Sequence, residues 1–186
     1  MTFEPLTPRT WHLFEALMGE RGGCGGCWCM FYRLPTAVFK EQKYEGNKAA
    51  MRTLVQQRKQ IGLMAMVDNE PIGWVAVSPR EEVPRIDQSR TLPRVGTLPV
   101  WSISCFFVRK EYRKQGISKA LIEGAIAWAH EQHIQVLEAY PAVPYAKKIS
   151  DSFLWSGVLS SFKKFGFRLV KRNGKTKAMV RLELNR

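Results

Sequence analysis

The chain has 186 residues, of which 45% are hydrophobic and 24% are charged, a balance typical of a folded globular protein. Lysine and arginine total 29 against 16 acidic residues, so the formal net charge is +13. The length fits one domain with room for an N-terminal elaboration. Apolar runs such as Val100–Val108 are far shorter than the ~20 residues that span a bilayer, so we expect no membrane segment. Because residues 1–9 contain Glu4 and two prolines and no apolar region, we expect no signal peptide and a cytoplasmic location.

The excess of positive charge favours an anionic partner, such as nucleic acid, an acidic protein or a phosphorylated cofactor. The basic residues are scattered, however, without the long runs or the interleaved aromatic residues typical of single-strand binders. We therefore interpret most of this charge as solvated surface and do not expect a nucleic-acid partner. A basic RNA-binding or ribosome-associated protein stays open as an alternative.

Three of the four cysteines, Cys24, Cys27 and Cys29, lie in one glycine-rich stretch, and the fourth is Cys105. A structural zinc site usually needs two separated pairs of ligands, and the sequence offers no second pair. A disulfide is disfavoured in a reducing compartment. We therefore expect no metal and interpret the stretch as a loop with small, partly buried thiols. A zinc site completed by Cys105 or His12 is the less favoured alternative.

Helical patterns dominate the first third of the chain. Thr7 followed by proline predicts the start of a helix over residues 8–19, with its apolar side chains at helical spacing. Thr36 predicts the cap of a short second helix, and Asn47 predicts the cap of a third helix that ends near Arg58.

Strand patterns follow. Leu63–Val67 and Ile72–Ser78 are apolar and separated by a short turn, which predicts a β-hairpin. Pro79–Pro99 contains four prolines and no sustained period, so we predict a mobile connection. Loops of this length in a compact domain are often functional.

The most informative part of the chain begins at Val100. Val100–Val108 reads as a buried strand, residues 116–133 as a helix with one apolar face, and Gln135–Tyr140 as another strand. A strand, a helix and a strand within such a short distance predict a parallel, right-handed βαβ crossover.

The last part of the chain adds a helix and a hairpin. Ser156 predicts the cap of a helix that Gly166 ends, and Phe167–Lys171 and Thr176–Leu184 predict a hairpin across an Asn-Gly turn. The order of elements predicts a mixed α/β single domain.

The turn between Val108 and Gly116 is a candidate phosphate site. A strand ends at Val108 and a helix begins near Gly116, so the amides of residues 114–118 are expected to be the unpaired donors of a helix N-terminus. Such donors, together with the helix dipole, attract a pyrophosphate, and a glycine lets it approach the backbone closely. The turn is neither a P-loop nor a G-x-G-x-x-G motif. The alternative is a glycine that opens a helix whose end is coated with basic residues: Arg109, Lys110, Arg113, Lys114 and Lys119.

A family resemblance adds to this interpretation. The pattern Val108-x-x-x-Tyr-Arg-x-x-Gly-x-Ser118 resembles the Val-x-Pro-x-x-Arg-x-x-Gly-x-Gly/Ala signature of the Gcn5-related N-acetyltransferase (GNAT) family. Ser161–Phe167 is similar to the final helix of that family followed by Gly-Phe and a strand. The resemblance covers about Leu63–Leu184. The stretch Cys27–Arg33 resembles a feature of one uncharacterised bacterial branch of the family.

The resemblance implies a GNAT-like fold: a single domain over residues 1–186 with a central, twisted, mostly antiparallel sheet, one parallel βαβ crossover and helices on both faces. Acceptor-side helices and the cysteine-rich loop are expected in residues 1–62 and the coenzyme-binding core in residues 63–186. The implied activity is acetyl-CoA-dependent transfer of an acetyl group to an unidentified small-molecule or protein amine, by direct attack on the thioester. A coenzyme-binding module without activity is the alternative, and a homodimer is left open.

The resemblance also implies which residues bind the coenzyme. The amides of residues 114–118 are expected on the pyrophosphate, with Lys119 nearby. The strand edge Phe106–Val108 is expected to pair with the pantetheine amides and to offer an amide to the thioester oxygen as its charge develops. The expected coenzyme-binding residues are therefore Phe106, Phe107, Val108, Arg113, Lys114, Gln115, Gly116, Ile117, Ser118 and Lys119.

The catalytic groups depart from the family's pattern. The tyrosine that often protonates the departing thiolate falls on Phe162, which has no proton to give. Tyr140 and Tyr145 are candidate acids in its place. Glu138 is the candidate base or acceptor ligand, because an ammonium must lose a proton before it attacks and because a carboxylate in an apolar strand is costly to bury unpaired. The alternative for Glu138 is an exposed position at a strand edge.

Overall fold

The computed structural model describes residues 1–143 and 155–184, which form a seven-stranded sheet in the order β1-β2-β3-β4-β5-β7-β6. The strands are β1 (Thr2–Pro5), β2 (Gly62–Val67), β3 (Glu70–Pro79), β4 (Trp101–Val108), β5 (Val136–Ala139), β6 (Arg168–Asn173) and β7 (Lys177–Glu183). The helices are α1 (Trp11–Met18), α2 (Thr36–Glu41), α3 (Glu45–Gln56), α4 (Pro84–Asp87), α5 (Ile117–Glu131) and α6 (Leu159–Lys164).

The predicted mixed α/β fold and its crossover are confirmed. Strands β4 and β5 pair in parallel, with α5 between them in sequence, and every other neighbouring pair is antiparallel. One apolar core lies between the sheet and α5, and a second lies between the opposite face and the N-terminal helices. Helices therefore cover both faces, as predicted.

Helix α5 begins directly after Gly116, whose backbone is in the left-handed region with φ 84°. Its buried face carries Ile117, Leu121, Ala125 and Ala129 at helical spacing, and this face packs on β2 and β3. Gly124 is required on the same helix, because a Cβ there would lie 2.6 Å from the ring of Phe3. The glycine thus lets β1 pack against α5.

The N-terminus differs from the sequence-based expectation. Strand β1, which the sequence did not predict, pairs with β2 so that Phe3 lies opposite Ala65. Its four residues lack a strand pattern, and only pairing with β2 defines it. Helix α1 begins at Trp11 rather than Pro8, because Thr10 closes a turn by donating its hydroxyl to the Pro5 carbonyl at 2.7 Å.

The predicted caps of the next two helices are wrong. Neither α2 nor α3 has a side-chain cap hydrogen bond. Asn47 is fully buried within α3, where its Nδ2 donates to the carbonyl of Gly26 at 2.8 Å. This asparagine therefore fastens the glycine-rich loop to α3.

The mobile connection predicted for Pro79–Pro99 is also wrong over much of its length. It begins with a 3-10 turn over Arg80–Glu82 and continues into α4. Val83, Ile86 and Leu92 are buried in a third apolar cluster. The segment is held in place by burial that its proline-rich composition did not reveal.

The C-terminal elements match the prediction more closely. Helix α6 begins after Val158 rather than at Ser156, Gly166 follows it with φ 84°, and β6 and β7 form the expected hairpin. Within residues 1–143 and 155–184, no helix has the length and apolar character needed to cross a bilayer.

Candidate active site

A β-bulge in β4 opens one edge of the sheet. Ala76 of β3 pairs with Cys105 and Val77 pairs with Ile103, so Ser104 is the extra residue of the bulge. The parallel pairing of β4 with β5 stops at Ile103. The second half of β4 is therefore left without β5 as a neighbour.

In this free edge, the second half of β4, the backbone amides of alternate residues point away from β3. Arg109 donates its amide to Ile72, and the alternation of an antiparallel ladder then turns the amides of Phe106 and Val108 outward. The Phe106 amide donates to the Trp155 carbonyl at 2.6 Å. The Val108 carbonyl accepts from Nε of Arg113 at 3.1 Å.

The turn after β4 presents a row of free amides. Lys114 and Gly116 have positive φ angles of 63° and 84°. The first amides that bond within α5 are those of Lys119 and Ala120, which both donate to the Gly116 carbonyl. Within the described residues, the amides of positions 114–118 have no backbone acceptor. This is the donor arrangement that binds a pyrophosphate at a helix N-terminus.

A cavity of about 950 Å³ joins this turn to the free edge of β4 and to the glycine-rich loop. Of the ten predicted coenzyme-binding residues, Gln115 does not line the cavity, and its Nε2 donates instead to the Glu111 carbonyl at 2.8 Å. The other nine line it: Phe106, Phe107, Val108, Arg113, Lys114, Gly116, Ile117, Ser118 and Lys119. One continuous cavity thus contacts both the proposed phosphate donors and the proposed thioester edge.

The opposite wall of the cavity is aromatic and rich in sulfur. It comprises Met18, Cys24, Cys27, Cys29, Phe31, Tyr32 and Phe39, while Trp74 of β3 and Cys105 of β4 line the same cavity from the sheet. Among the described residues, no aspartate or glutamate lines the cavity, and Lys43 is an exposed cation on this wall. The cluster of aromatic residues and cysteines in positions 27–33 was a signal for this wall, but the sequence alone did not place it opposite β4.

Glu138 does not line the cavity, and it is not exposed at a strand edge, which was the alternative interpretation. It is fully buried, forms an ion pair with Arg80, and accepts from Nε of Arg181 at 2.5 Å. Tyr140 donates its hydroxyl to Glu138 at 2.7 Å and lies 2.8 Å from the hydroxyl of Ser102. Burial, followed by the charge of Glu138, raises the pKa of Tyr140 well above its usual value.

These two residues thus belong to a buried polar network behind the cavity. Their catalytic roles stay predictions. Tyr145, the other predicted acid, lies outside the described residues.

The four cysteines have different surroundings although they share one cavity. Burial, with the nearby Cys29, raises the pKa of Cys27 to about 11. The pKa of Cys29 is lowered, first by the neighbouring thiol of Cys105 and then by the Trp74 indole and the charge of Arg33, which outweigh its burial. The pKa of Cys105 is raised well above the usual thiol value by the same contact with Cys29 and by burial. Within the described residues, no group of three or more His, Cys, Asp or Glu side chains is arranged to hold a metal ion.

Solved structures share this fold at low sequence identity. An N-acetyltransferase from Staphylococcus aureus Mu50 is 15% identical, with a TM-score of 0.55 over 99% of this chain and 98% of that chain. A ribosomal-protein-alanine N-acetyltransferase from Brucella melitensis is 13% identical, with a TM-score of 0.54 over 99% of this chain and 100% of that chain. The PaiA N-acetyltransferase from Thermoplasma acidophilum, in complex with coenzyme A, is 14% identical, with a TM-score of 0.52 over 99% of this chain and 100% of that chain.

A comparison with curated proteins gave no match. The sequence model of the Acetyltransferase (GNAT) family, in contrast, matches residues 28–149. This range includes the bulged strand, the turn with free amides and the crossover helix. The chain therefore belongs to the GNAT acetyltransferase family.

Proposed function

We propose that acetyl-CoA, the acetyl donor of this N-acetyltransferase, lies with its pyrophosphate on the amides of residues 114–118 and its pantetheine arm along β4. The observation that carries this proposal is the row of amides before α5 that lack backbone acceptors within the described residues. Arg113, Lys114 and Lys119 are exposed around the same cavity and add positive charge beside the phosphates. The complex of the Thermoplasma acidophilum neighbour with coenzyme A supports this ligand.

The edge of β4 supplies the groups for the thioester. The outward amides of Phe106 and Val108 lie on the cavity side of the strand, where they can bond the pantetheine arm and the thioester oxygen. A preorganised amide at that oxygen stabilises the charge that develops as the amine attacks. The Phe106 amide must first exchange its bond to the Trp155 carbonyl for a bond to the ligand.

The acceptor is proposed to enter from the aromatic wall, which residues 1–62 largely build. An amine with an apolar or aromatic body fits this wall, because Phe31 and Phe39 present apolar surface there. A polycationic acceptor is expected to bind weakly, since no carboxylate of the described residues lines the cavity and the positive charge of Lys43 repels it. A homodimer and a cytoplasmic location stay predictions.

Isothermal titration calorimetry tests the proposed donor site. We expect coenzyme A and acetyl-CoA to bind with dissociation constants in the micromolar range, and adenosine to bind much more weakly because it lacks the pyrophosphate. Loss of the diphosphate contacts removes several charge-assisted hydrogen bonds, each worth about 1.5–3 kcal/mol. No heat with coenzyme A at millimolar concentration would overturn the proposal.

An acceptor panel tests the proposed substrate class. Release of the coenzyme A thiol, followed with a chromogenic disulfide, is expected to be at least about tenfold faster in kcat/KM with 2-phenylethylamine than with spermidine. A tenfold ratio corresponds to about 1.4 kcal/mol, which is less than full burial of one aromatic ring contributes. A preference for spermidine would contradict an apolar acceptor site while leaving the donor site intact.

A further inference from the structure

The positive charge of the chain is concentrated in one segment. Residues 156–177 contain seven lysines and arginines and no aspartate or glutamate, so the rest of the chain has 22 basic against 16 acidic residues. This short segment thus supplies +7 of the net charge of +13. Six of its seven cations are exposed, and together we call them the basic edge: Lys163, Lys164, Arg168, Lys171, Arg172 and Lys175.

The fold places the basic edge at the margin of the sheet. Lys163 and Lys164 lie in the last turn of α6, three cations lie on β6, and Lys175 lies in the turn between β6 and β7. Strand β6 is the last strand of the sheet, and among the described residues its one neighbouring strand is β7. The basic edge therefore follows an unpaired border of the sheet.

The proposed acetyl transfer does not use these cations. The cavity is lined by Arg113, Lys114 and Lys119, which the proposed function places beside the phosphates, but by no member of the basic edge. Within residues 1–143 and 155–184, no member of the basic edge forms a salt bridge with a carboxylate. The coenzyme site and the ion pairs of the described fold thus leave this charge without a role.

Protection of an edge strand does not account for the choice of charge. Charged side chains on an edge strand prevent its pairing with other chains, but either sign of charge serves that purpose. The opposite edge of the same sheet, β1, carries Glu4 and Pro5 and no cation. On β6, Arg168 lies directly opposite Arg181, and like charges in that position do not stabilise a sheet. A border with cations only therefore indicates an anionic partner.

The length of β6 suits the backbone of a nucleic acid. A strand rises about 3.3 Å per residue, so the six residues of β6 span about 20 Å. One strand of a double helix places a phosphate about every 3.4 Å along its axis, so this span covers about six phosphates. Lysine and arginine side chains that neutralise such phosphates release counterions, and this release supplies most of the affinity of sequence-independent binding.

Two other anionic partners fit the basic edge less well. An acidic peptide that added a strand to β6 would need a regular edge, but the register of β6 shifts between Leu169 and Lys171, and bulges of this kind oppose strand addition. Stable binding to an anionic membrane combines charge with inserted apolar side chains. Among the described side chains of residues 156–177, only Leu169 is an exposed large hydrophobic residue.

We propose that the basic edge binds the phosphate backbone of a nucleic acid. Contacts of this kind position a protein on the backbone and do not read base sequence. Over the whole chain the basic residues are scattered, so overall composition did not indicate this partner, whereas the local excess on α6, β6 and the following turn does. Because the basic edge lies outside the cavity, this inference does not depend on the proposed position of acetyl-CoA.

Charge reversal with a matched control tests the proposed site. The test variant reverses three members of the basic edge: Lys171→Glu, Arg172→Glu and Lys175→Glu. The control variant reverses three exposed cations elsewhere: Arg9→Glu, Arg58→Glu and Arg90→Glu. Both variants lower the formal net charge from +13 to +7, so a difference between them reports the location of the charge rather than its total.

Fluorescence anisotropy of a labelled oligouridylate, titrated with protein at several salt concentrations, measures the binding. We expect the test variant to bind at least about tenfold more weakly than wild type at low salt, and the slope of log affinity against log salt to become shallower by about two, at about 0.7 for each lost phosphate contact. The control variant is expected to lose less than about threefold, because its reversed charges are screened from the basic edge. A milder variant with glutamine at the same three positions is expected to show a smaller loss in the same direction.

Calorimetry with coenzyme A separates this inference from the proposed function. We expect the test variant to keep the wild-type affinity for coenzyme A, which also shows that it is folded. Equal losses of oligouridylate affinity in the test and control variants, or no binding to wild type at low salt, would overturn the proposal. Tighter binding of polyglutamate or of phosphatidylserine vesicles than of the oligouridylate would likewise overturn it, in favour of a protein or a membrane partner. A wild-type protein that binds the oligouridylate but not coenzyme A would leave the basic edge standing and remove the proposed donor site.

Discussion

Replacing Arg80 with alanine is expected to lower the free energy of unfolding by about 3–5 kcal/mol, the cost of breaking a buried ion pair by removing one partner. Arg80 and Glu138 are both fully buried and 58 residues apart in sequence. The guanidinium also donates to the carbonyls of Ile86 and Leu92. Without it, these oxygens lose a donor, and among the described residues the Glu138 carboxylate keeps only Arg181 and Tyr140. Thermal denaturation is expected to show a melting temperature at least about 6 °C lower, given 2–4 °C per kcal/mol for chains of this size.

Arg94→Ala is the matched control for this substitution. Arg94 forms an ion pair with Asp87 at 2.6 Å, but half of its side chain is exposed, so we expect a loss below about 1 kcal/mol. The double variant Arg80→Met with Glu138→Leu is expected to recover part of the loss, because it removes both fully buried charges, although Arg181 then loses its carboxylate partner. A melting temperature for Arg80→Ala within 2 °C of wild type would show that the network does not stabilise the fold.

Gly116→Val is expected to raise the dissociation constant for coenzyme A by at least about tenfold. A β-branched residue at φ 84° is strained by about 1–3 kcal/mol. If the backbone relieves that strain, the neighbouring amides turn away from the proposed diphosphate position. The added carbons also project into open space beside those amides, because no atom of the described residues, apart from Gly116 and its two chain neighbours, lies within 4 Å of a Cβ at this position. Calorimetric titration of the variant with coenzyme A measures the loss.

Gly174→Val provides the control for backbone strain alone. Gly174 has φ 61° and lies in the β6–β7 turn, outside the cavity wall. Its Cβ position likewise has no atom of a described, non-neighbouring residue within 4 Å. We expect similar destabilisation of the two variants but unchanged coenzyme A affinity in Gly174→Val. Equal affinities in both variants would mean that residues 114–118 do not hold the diphosphate.

The crossover and its turn could be predicted because their signals are local. A continuous apolar run ended at Val108, a helical stripe began at Ile117, and Gly116 stood between them, so the free amides followed from helix geometry alone. The structure confirms the parallel pair and the helix at nearly the predicted bounds. Sequence patterns of this kind depend on residues that are close together in the chain, which is why the elements they predicted are present in the fold.

The aromatic wall and the buried network could not be predicted because their partners are distant in sequence. Cys29 meets Trp74 across 45 residues, and Arg80 meets Glu138 across 58. The composition of Pro79–Pro99 indicated an unstructured segment. Arg80 nevertheless fastens this segment to β5 through its ion pair with Glu138, which no hydrophobic periodicity of the local sequence predicts. The same limit explains β1, whose strand conformation is defined by pairing with residues 63–66.

In the binding mode proposed above, the hydrogen bond from the Phe106 amide to the Trp155 carbonyl would divide ligand entry into two stages. A nucleotide portion can settle on the diphosphate turn while that bond stays closed, because the turn and the bond lie at opposite ends of the free half of β4. Only a ligand with a pantetheine arm has amide or thioester carbonyls to offer in exchange. Truncated nucleotides would therefore compete for the diphosphate turn but not for the edge of β4, and discrimination in favour of the complete coenzyme would arise in the second stage rather than the first.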